Sequence, residues 1–374
     1  MDELPDKMRL ETDPVADEVV GRIIEENGRE EAKKLFDLLI RNVDIPFDQV
    51  PPYVKDYMEE NATLPSHFDL QRIRRGQKVF IDNGPYFCGF LFFKSLPTCY
   101  LDWRGAPVLA MTGRLDEGRG YPEIYARRVA ETLQFVLDCM DPGGLEPGGK
   151  ARQTILKVRL IHASIRHFIG RHAEWNQAEW GDPINQEDMA LTLQSFGTSM
   201  IEGMELLDAP LPEQEAADFH HAWQAVGHIL GVREELNPGS PAKGKELIHK
   251  ILERNAGPSE SGKSLTAALI AFGEELIPAK MMDWTVRTLV RIYVGEKYAE
   301  MLGVNAEGCL VKFLPKIISS AIKAEAKLEG KSKKLKQVTD KVGLAVVHAL
   351  QNRMNSYKGM PLQIPEQMQA AWGV

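Results

Sequence analysis

The sequence predicts an all-α protein that folds as a single large helical domain. Three observations favour this class. Apolar residues recur at helical spacing along most of the 374-residue chain, alternation with a period of two is scarce, and the breaks between helical stretches are short clusters of Gly and Pro. Because 44% of the residues are hydrophobic, the chain can bury a large core. We therefore expect helices packed on helices, without a sheet.

The first predicted element is one or two amphipathic helices over residues 14–41. Val15, Val19 and Ile23 begin an apolar face among charged residues. Asp13 is a favourable helix N-cap, and Pro14 behind it suits the first helical position. The chain should therefore start with a helix that packs on the rest of the protein through one face.

The next stretch, 45–65, carries four prolines and is predicted to be irregular and to wrap over the surface. Helical patterns resume after it, approximately over 68–82, 122–140, 151–172, 185–207, 212–231, 243–254, 263–276, 281–302, 308–328 and 335–354. The breaks at 141–150 and 236–244 are too short for interdomain linkers. The lysine-rich stretch 323–336 is interpreted as a solvated helix face and loop.

Charge and cysteine usage exclude several function classes. The chain has 45 Lys and Arg against 53 Asp and Glu, and a net charge of -8 disfavours nucleic acid and anionic membrane surfaces as partners. The four cysteines are scattered, so neither a disulfide framework nor a zinc site is predicted, and a reducing compartment fits. The acidic N-terminus lacks the features of a secretory signal. We expect a soluble, cytoplasmic protein.

One motif suggests nucleotide binding. Residues 257–264, GPSESGKS, match the P-loop pattern, with Lys263 and Ser264 where phosphate and magnesium contacts would lie. A P-loop must join a buried strand to a helix, whereas an amphipathic helix pattern precedes this one. We interpret the motif as a loop that caps the helix from Leu265, and a P-loop nucleotide hydrolase is the weakest of the functional alternatives.

A more informative pattern surrounds one histidine. Arg159, His162 and Arg166 follow the spacing i, i+3, i+7, which groups them in one sector of a helix bordered by apolar residues. Haem needs an apolar slot, a neutral imidazole for the iron and cationic partners for its propionates. From spacing alone, a hydrogen-bonded core histidine with two arginines paired to carboxylates is the better interpretation.

A second stripe lies on the helix predicted from residue 122. Arg128 and Thr132 are four residues apart at the margin of its apolar face, so both could reach a buried pocket. Glu131 lies further toward the polar side. The alternative is an arginine at the helix edge and a hydroxyl bonded to its own backbone.

Seven sequence segments, in this order and with this spacing, extend the pattern over most of the chain. They are RRGQKVF at 74–80 with SLPTCY at 95–100, the RxxxT of Arg128 and Thr132, RLIHASIRHFI around His162, WGDPINQEDMALTLQSF at 180–196, FHHAWQAVGHILGV at 219–232 and RIYVGEKYAEMLGV at 291–304. Together they resemble the catalytic domain shared by rubber oxygenases, or latex-clearing proteins, and the ER-bound oxygenase of mycophenolic acid biosynthesis. The RxxHxxxR element around His162 is the strongest single feature.

The resemblance implies a fold, a cofactor and a site. It implies an all-α fold with a globin-like core and haem b, whose iron takes His162 as its axial ligand, with dioxygen binding opposite. Arg159 and Arg166 match the family arginines around that histidine, and Arg291 matches a further one. Arg128 and Thr132 match pocket residues. The implied division is an N-terminal helical and irregular wrapping segment at 1–66, a helical haem domain at 67–355 and a C-terminal tail at 356–374.

The sequence departs from the family pattern at the groups that move protons. Glu131 replaces a lysine that some rubber oxygenases place over the iron, and the catalytic glutamate has no secure counterpart. Glu117 is the nearest candidate, with Glu131 second. Because no export signal is found, polymeric rubber is not the expected substrate, and a small unsaturated isoprenoid or lipid fits better.

The resulting hypotheses differ in whether turnover occurs. The leading one is a haem b-dependent oxygenase that takes dioxygen and a small apolar substrate, with an electron donor as an open option. The alternative is a non-catalytic haem or lipid-binding protein of the same fold, since the missing glutamate would leave no proton-transfer group.

Overall fold

The computed structural model describes residues 7–41, 50–114, 121–171, 174–207, 209–276 and 283–305. The regular elements in this part of the chain are helices, apart from one isolated bridge between Asp102 and Ala256. The helices are α1 (Pro14–Arg41), α2 (Pro52–Asn61), α3 (Leu70–Asp82), α4 (Gly84–Phe90), a π-helix (Leu91–Ser95), α5 (Leu96–Tyr100), α6 (Ala106–Arg114), α7 (Tyr121–Met140), α8 (Lys150–Ile169), α9 (Gln177–Trp180), α10 (Gln186–Phe196), α11 (Thr198–Leu206), α12 (Glu213–Ile229), a 3-10 turn (Glu234–Leu236), α13 (Pro241–Asn255), α14 (Glu260–Leu276), α15 (Asp283–Val294) and α16 (Glu296–Met301). The predicted all-α class is confirmed.

The N-terminal helix begins where the sequence predicts. The Asp13 carboxylate accepts a hydrogen bond from the Ala16 amide at 3.5 Å, as expected of an N-cap. Gly28 interrupts α1 with a φ of 73°, a left-handed conformation that favours glycine, so the expectation of one or two helices is met by two segments joined at a kink.

The proline-rich stretch differs from its prediction. The expectation of irregular structure is wrong for residues 52–61, which form α2. Pro51 precedes the helix and Pro52 opens it. Proline is tolerated in the first helical turn because its missing N–H has no intrahelical partner there, so these prolines mark a helix start rather than prevent one.

A second difference lies in the apolar segment from residue 84 to residue 100. It forms α4, the π-helix and α5, although the sequence analysis predicted no helix there. Phe87, Phe90 and Leu91 are buried. A helix that is surrounded by protein needs no polar face, so its sequence lacks the periodicity by which amphipathic helices are recognised.

The later helices follow the predicted ranges, and two of those ranges divide. Residues 185–207 form α10 and α11, which separate at Gly197, and residues 281–302 contain α15 and α16, which separate at Gly295. The predicted helices at 308–328 and 335–354 and the lysine-rich stretch lie outside the described residues. No helix in the described part of the chain is long and apolar enough to cross a membrane.

The core is one large apolar cluster that draws residues from α1 to α16. Helix α8 lies in its middle and packs against α1, α2, α6, α7 and α12. A smaller cluster, formed mainly by Val108, Met111, Ile169 and Trp175, covers the C-terminal end of α8. The helix that carries His162 therefore packs against other helices on one face and keeps partly exposed residues on another.

The candidate functional site

His162 lies in the second half of α8, and two residues near it in the chain are fully buried. Leu160 and Ala163 are 0% and 1% exposed. The His162 side chain keeps some accessible surface, yet its Nδ1 atom is buried and has no hydrogen-bond partner among the described residues. A buried polar atom without a partner costs free energy, so the position calls for an explanation other than packing.

Burial also sets the protonation state of this imidazole. Desolvation first, and then the charge of Arg166, lower the pKa of His162 from 6.5 to about 4. The ring is therefore neutral near pH 7 and keeps a lone pair on one nitrogen. A neutral imidazole in an apolar surrounding is the form that binds a metal.

Arg159 lies one turn before His162 and is fully engaged with protein groups. Its Nε and Nη2 atoms donate to the two carboxylate oxygens of Asp13 at 2.5 Å and 2.8 Å. Its Nη1 atom donates to the carbonyl oxygen of Ile229 at 3.2 Å, and the Tyr57 ring centroid is 5.9 Å from the guanidinium carbon. Every nitrogen of this guanidinium thus has a partner within the protein.

Arg166 lies one turn after His162 and makes the matching contact. Its Nε atom donates to Asp17 at 2.7 Å, and its Nη1 atom donates to the carbonyl oxygen of Ile184 at 3.3 Å. Its Nη2 atom is buried with no partner among the described residues. Both α8 arginines therefore pair with carboxylates at the start of α1, and of these two only Arg166 keeps a donor without a partner among the described residues.

The α7 residues of the second stripe contact helix α6. Arg128 donates to the carbonyl oxygen of Leu109 at 2.5 Å and to the hydroxyl of Thr112 at 2.7 Å. Thr132 donates to the carbonyl oxygen of Arg128 at 2.8 Å, which is the local bond that the sequence analysis gave as the alternative. Glu131 is half-buried on the same helix. Helix α7 packs against both α6 and α8. The bonds of Arg128 therefore connect α7 to α6 beside the helix that carries His162.

The remaining predicted site residues lie in different places. Arg291, on α15, is buried; it donates to the carbonyl oxygen of Val304 and to Glu296 at 2.6 Å, while its Nε atom has no partner among the described residues. Glu117 lies outside the described residues. No group of three or more metal-ligating His, Cys, Asp or Glu side chains occurs where the chain is described.

The sequence analysis missed the segment that binds the arginines. Residues 9–17, which we call the N-terminal clasp, run along the 180–186 loop. The amides of Asp182 and Gln186 donate to the carbonyl oxygens of Arg9 and Glu11, both at 2.9 Å, and the Gln186 side chain donates to Thr12 at 2.9 Å. The WGDPINQED motif could have indicated this contact, because its polar residues hold the backbone of the clasp.

Arg9 fixes the start of the clasp among three carboxylates. One of its nitrogens lies 3.4 Å from Asp102, 3.0 Å from Glu187 and 3.1 Å from Asp188. Burial, together with the neighbouring carboxylates, raises the pKa of Asp188 well above its usual value despite the charge of Arg9. The clasp is therefore tied into the interior at a point separate from the His162 arginines.

The P-loop motif lies where the structure requires only a helix cap. Helix α13 ends before it, and α14 begins at Glu260. The Ser259 hydroxyl accepts from the Gly262 amide at 3.0 Å, and Lys263 pairs with Glu260 at 3.0 Å on the surface. The motif joins two helices and lacks the strand that a nucleotide-binding loop needs. It caps a helix as predicted, but the helix starts five residues before Leu265.

Comparisons with known proteins all find similarity to one group of oxygenases. Residues 88–311 match the model of the family described as "ER-bound oxygenase mpaB/B'/Rubber oxygenase, catalytic domain". A rubber oxygenase of Streptomyces sp. (strain K30) is 24% identical over 306 residues, which is 81% of this chain and 73% of that protein. The solved structure of latex clearing protein in the closed state superposes with a TM-score of 0.76 at 21% identity, over 96% of this chain and 95% of that one.

Proposed function

This chain belongs to the family of ER-bound oxygenases and rubber oxygenases and is therefore an oxygenase, and we propose that it uses haem b, held by His162, to oxidise a small apolar, unsaturated substrate. The observation that carries the proposal is the His162 imidazole, which is neutral and has a buried nitrogen without a partner among the described residues. The proposed substrate is isoprenoid- or lipid-like, because the similar protein from Streptomyces is a rubber oxygenase.

The residues present fit haem at the axial position. Helix α8 offers a neutral imidazole among apolar side chains and packs against five other helices. Haem, if bound, would be held by His162 and would supply a redox-active iron for oxygen chemistry. The work of the protein is then to hold the imidazole at the right orientation, to exclude water and to shape the pocket.

Two buried donors without partners in the described chain suit the anionic edge of the cofactor. They are the Arg166 Nη2 and Arg291 Nε atoms. A propionate placed beside either would receive a charge-assisted hydrogen bond. All nitrogen atoms of the Arg159 guanidinium are already bonded to protein groups. Arg159 is therefore proposed to affect the cofactor only by orienting α8.

Helix α7 supplies the polar groups that we propose for the reaction side. Arg128 donates to α6 and so holds α6 and α7 together. The Thr132 hydroxyl, which now donates to the α7 backbone, can instead form a hydrogen bond to substrate or oxygen. Glu131 is the candidate in the described chain for accepting or returning a proton, and Glu117 is the second candidate. A carboxylate in this role contributes by general acid-base catalysis.

The experiment that tests the proposal compares matched substrates with the purified protein. Protein from iron-replete cells should give a haem b pyridine haemochrome and should consume oxygen with squalene but not with squalane, its saturated counterpart. Methyl oleate and methyl stearate form the equivalent lipid pair. Haem-free protein from such cells, or equal oxygen uptake with saturated and unsaturated compounds, would contradict the proposal.

A further inference from the structure

We propose that Asp13 and Asp17, which lie outside the matched catalytic domain, are positioning residues that set the orientation of the His162 imidazole. The inference rests on the proposed function, since it concerns His162 as the axial ligand. Asp13 caps the start of α1 and Asp17 lies one turn later on that helix, while Arg159 and Arg166 lie one turn before and one turn after His162 on α8. Two ion pairs therefore join the start of α1 to α8 on either side of His162.

These pairs are short and largely withdrawn from solvent. The Asp13–Arg159 contact is bidentate, at 2.5 Å and 2.8 Å, and its side chains are 3% and 9% exposed. The Asp17–Arg166 contact is 2.7 Å, with Arg166 4% exposed and Asp17 at 29%. Bidentate contacts between a carboxylate and a guanidinium fix direction as well as distance. The pairs therefore restrain rotation of α8 about its own axis.

Such restraint matters because a metal bond tolerates little displacement. A helix with its side chains has a radius of about 5–6 Å, so a rotation of about 20° would move the tip of a side chain by roughly 2 Å. Metal-ligand distances vary by only about 0.2 Å around their preferred values. A small rotation of α8 would thus change the distance and angle between the His162 imidazole and a bound metal.

The backbone of Gly231 lies against the Asp13–Arg159 pair. Gly231 has a φ of +86°, and a Cβ atom there would lie 2.6 Å from Arg159 Nε and 2.7 Å from Asp13 Oδ2. The Gln186 side chain donates to the carbonyl oxygens of both Thr12 and Gly231. The Asp13–Arg159 pair therefore lies directly against the Gly231 backbone, in space that a Cβ atom at residue 231 would need.

The contacts separate this role from direct cofactor binding. All three nitrogen atoms of Arg159 have protein partners, so Arg159 can act on the cofactor only through α8. The same holds for the Nε and Nη1 atoms of Arg166. Outer-shell partners of this kind typically change metal affinity by about 10–100-fold when they are lost.

The test removes each carboxylate charge without changing its shape. Asp17→Asn and Asp13→Asn are compared with Glu18→Gln, which removes one charge from the exposed face of the same helix turn. The iron–histidine stretching band of the ferrous protein and the rate of haem transfer to apomyoglobin are measured. Both Asn variants should shift or broaden the band and transfer haem about tenfold faster, whereas Glu18→Gln should match the parent. Asp17→Glu should restore much of the parental band.

The outcomes distinguish this inference from the proposed function. Asp13 is buried and its variant could fold poorly, so Asp17→Asn, at a partly exposed position, keeps the test decisive. The inference is overturned if Asp17→Asn folds and keeps the parental band and transfer rate, or if Asp17→Glu is as defective as Asp17→Asn. A parent protein without haem, or a band that persists in His162→Ala, would instead overturn the proposed function itself.

Discussion

The close approach of Gly231 to the Asp13–Arg159 pair can be tested by adding a single methyl group. In Gly231→Ala the new Cβ would lie 2.6 Å from Arg159 Nε and 2.7 Å from Asp13 Oδ2 at a φ of +86°. Placing a side chain in the left-handed region costs about 1–2 kcal/mol. Losing one charge-assisted hydrogen bond of the buried pair adds about 1.5–3 kcal/mol. We expect a total loss of about 2.5–5 kcal/mol in the free energy of unfolding.

The matched control is Gly148→Ala. Gly148 has a φ of +77°, and nothing lies within 4 Å of an added Cβ, so this variant carries the backbone cost alone. Urea unfolding followed by far-UV circular dichroism should place the midpoint of Gly231→Ala well below that of Gly148→Ala, with both below the parent. Equal midpoints for the two variants would refute the reasoning, because they would show that the ion pair does not occupy the space beside Gly231.

Three further predictions concern the pocket wall, the P-loop motif and the titration of buried histidines. Arg128→Gln removes the charged bonds to α6 and should alter oxygen affinity and turnover while most of the haem is retained, as stopped-flow spectra and haem assays would show; parental values for both would refute the wall assignment. Lys263→Ala removes an exposed ion pair and should leave thermal stability within about 0.5 kcal/mol of the parent, so ATP binding that this change abolishes would contradict the helix-cap interpretation. Burial lowers the pKa values of His162 and His220 in the folded protein from 6.5 to about 4. As the pH decreases, the unfolded chain therefore binds protons before the folded protein does. The free energy of unfolding of the cofactor-free protein should thus fall as the pH decreases from 6.5 to about 4. His162→Gln should reduce that slope in urea midpoints, and an unchanged slope would show that His162 is not buried as described.

The helical class was predictable because most helices have one apolar face and one polar face. The pattern around α3, α7, α8 and α12 was therefore read at nearly the correct bounds. It failed for α4 and the π-helix, because most of their residues are apolar and no polar face marks the helical period, and for α2, because its prolines stand at its start. The globin-like arrangement of the core and the three-part division of the chain stay predictions.

The candidate site was predictable to the level of a helix face but not to the level of partners. Spacing along α8 placed Arg159, His162 and Arg166 together, and the structure keeps them on one stripe. The carboxylates that bind those arginines are 146 and 149 residues away in the sequence, and periodicity carries no information at that distance. The alternative interpretation in the sequence analysis, in which the two arginines pair with carboxylates, is therefore correct for Arg159 and Arg166.

The same limit applies to α7. The RxxxT spacing placed Arg128 and Thr132 on one edge of a helix, whereas their bonding to α6 and to the α7 backbone depends on how the helices pack. Side chains at a helix margin can turn toward either neighbour, so the sequence defines the edge and the fold chooses the partner.

The account depends most directly on His162 as the ligand of the iron, and the absorption spectrum of a cavity variant measures that bond. In iron-replete protein, His162→Gly should lose haem or its normal Soret band, and added imidazole should restore the parental spectrum by filling the ligand position. His167→Ala, at the C-terminal end of the same helix, should match the parent. A folded His162→Gly protein that keeps full haem and the parental spectrum without imidazole would contradict the central claim.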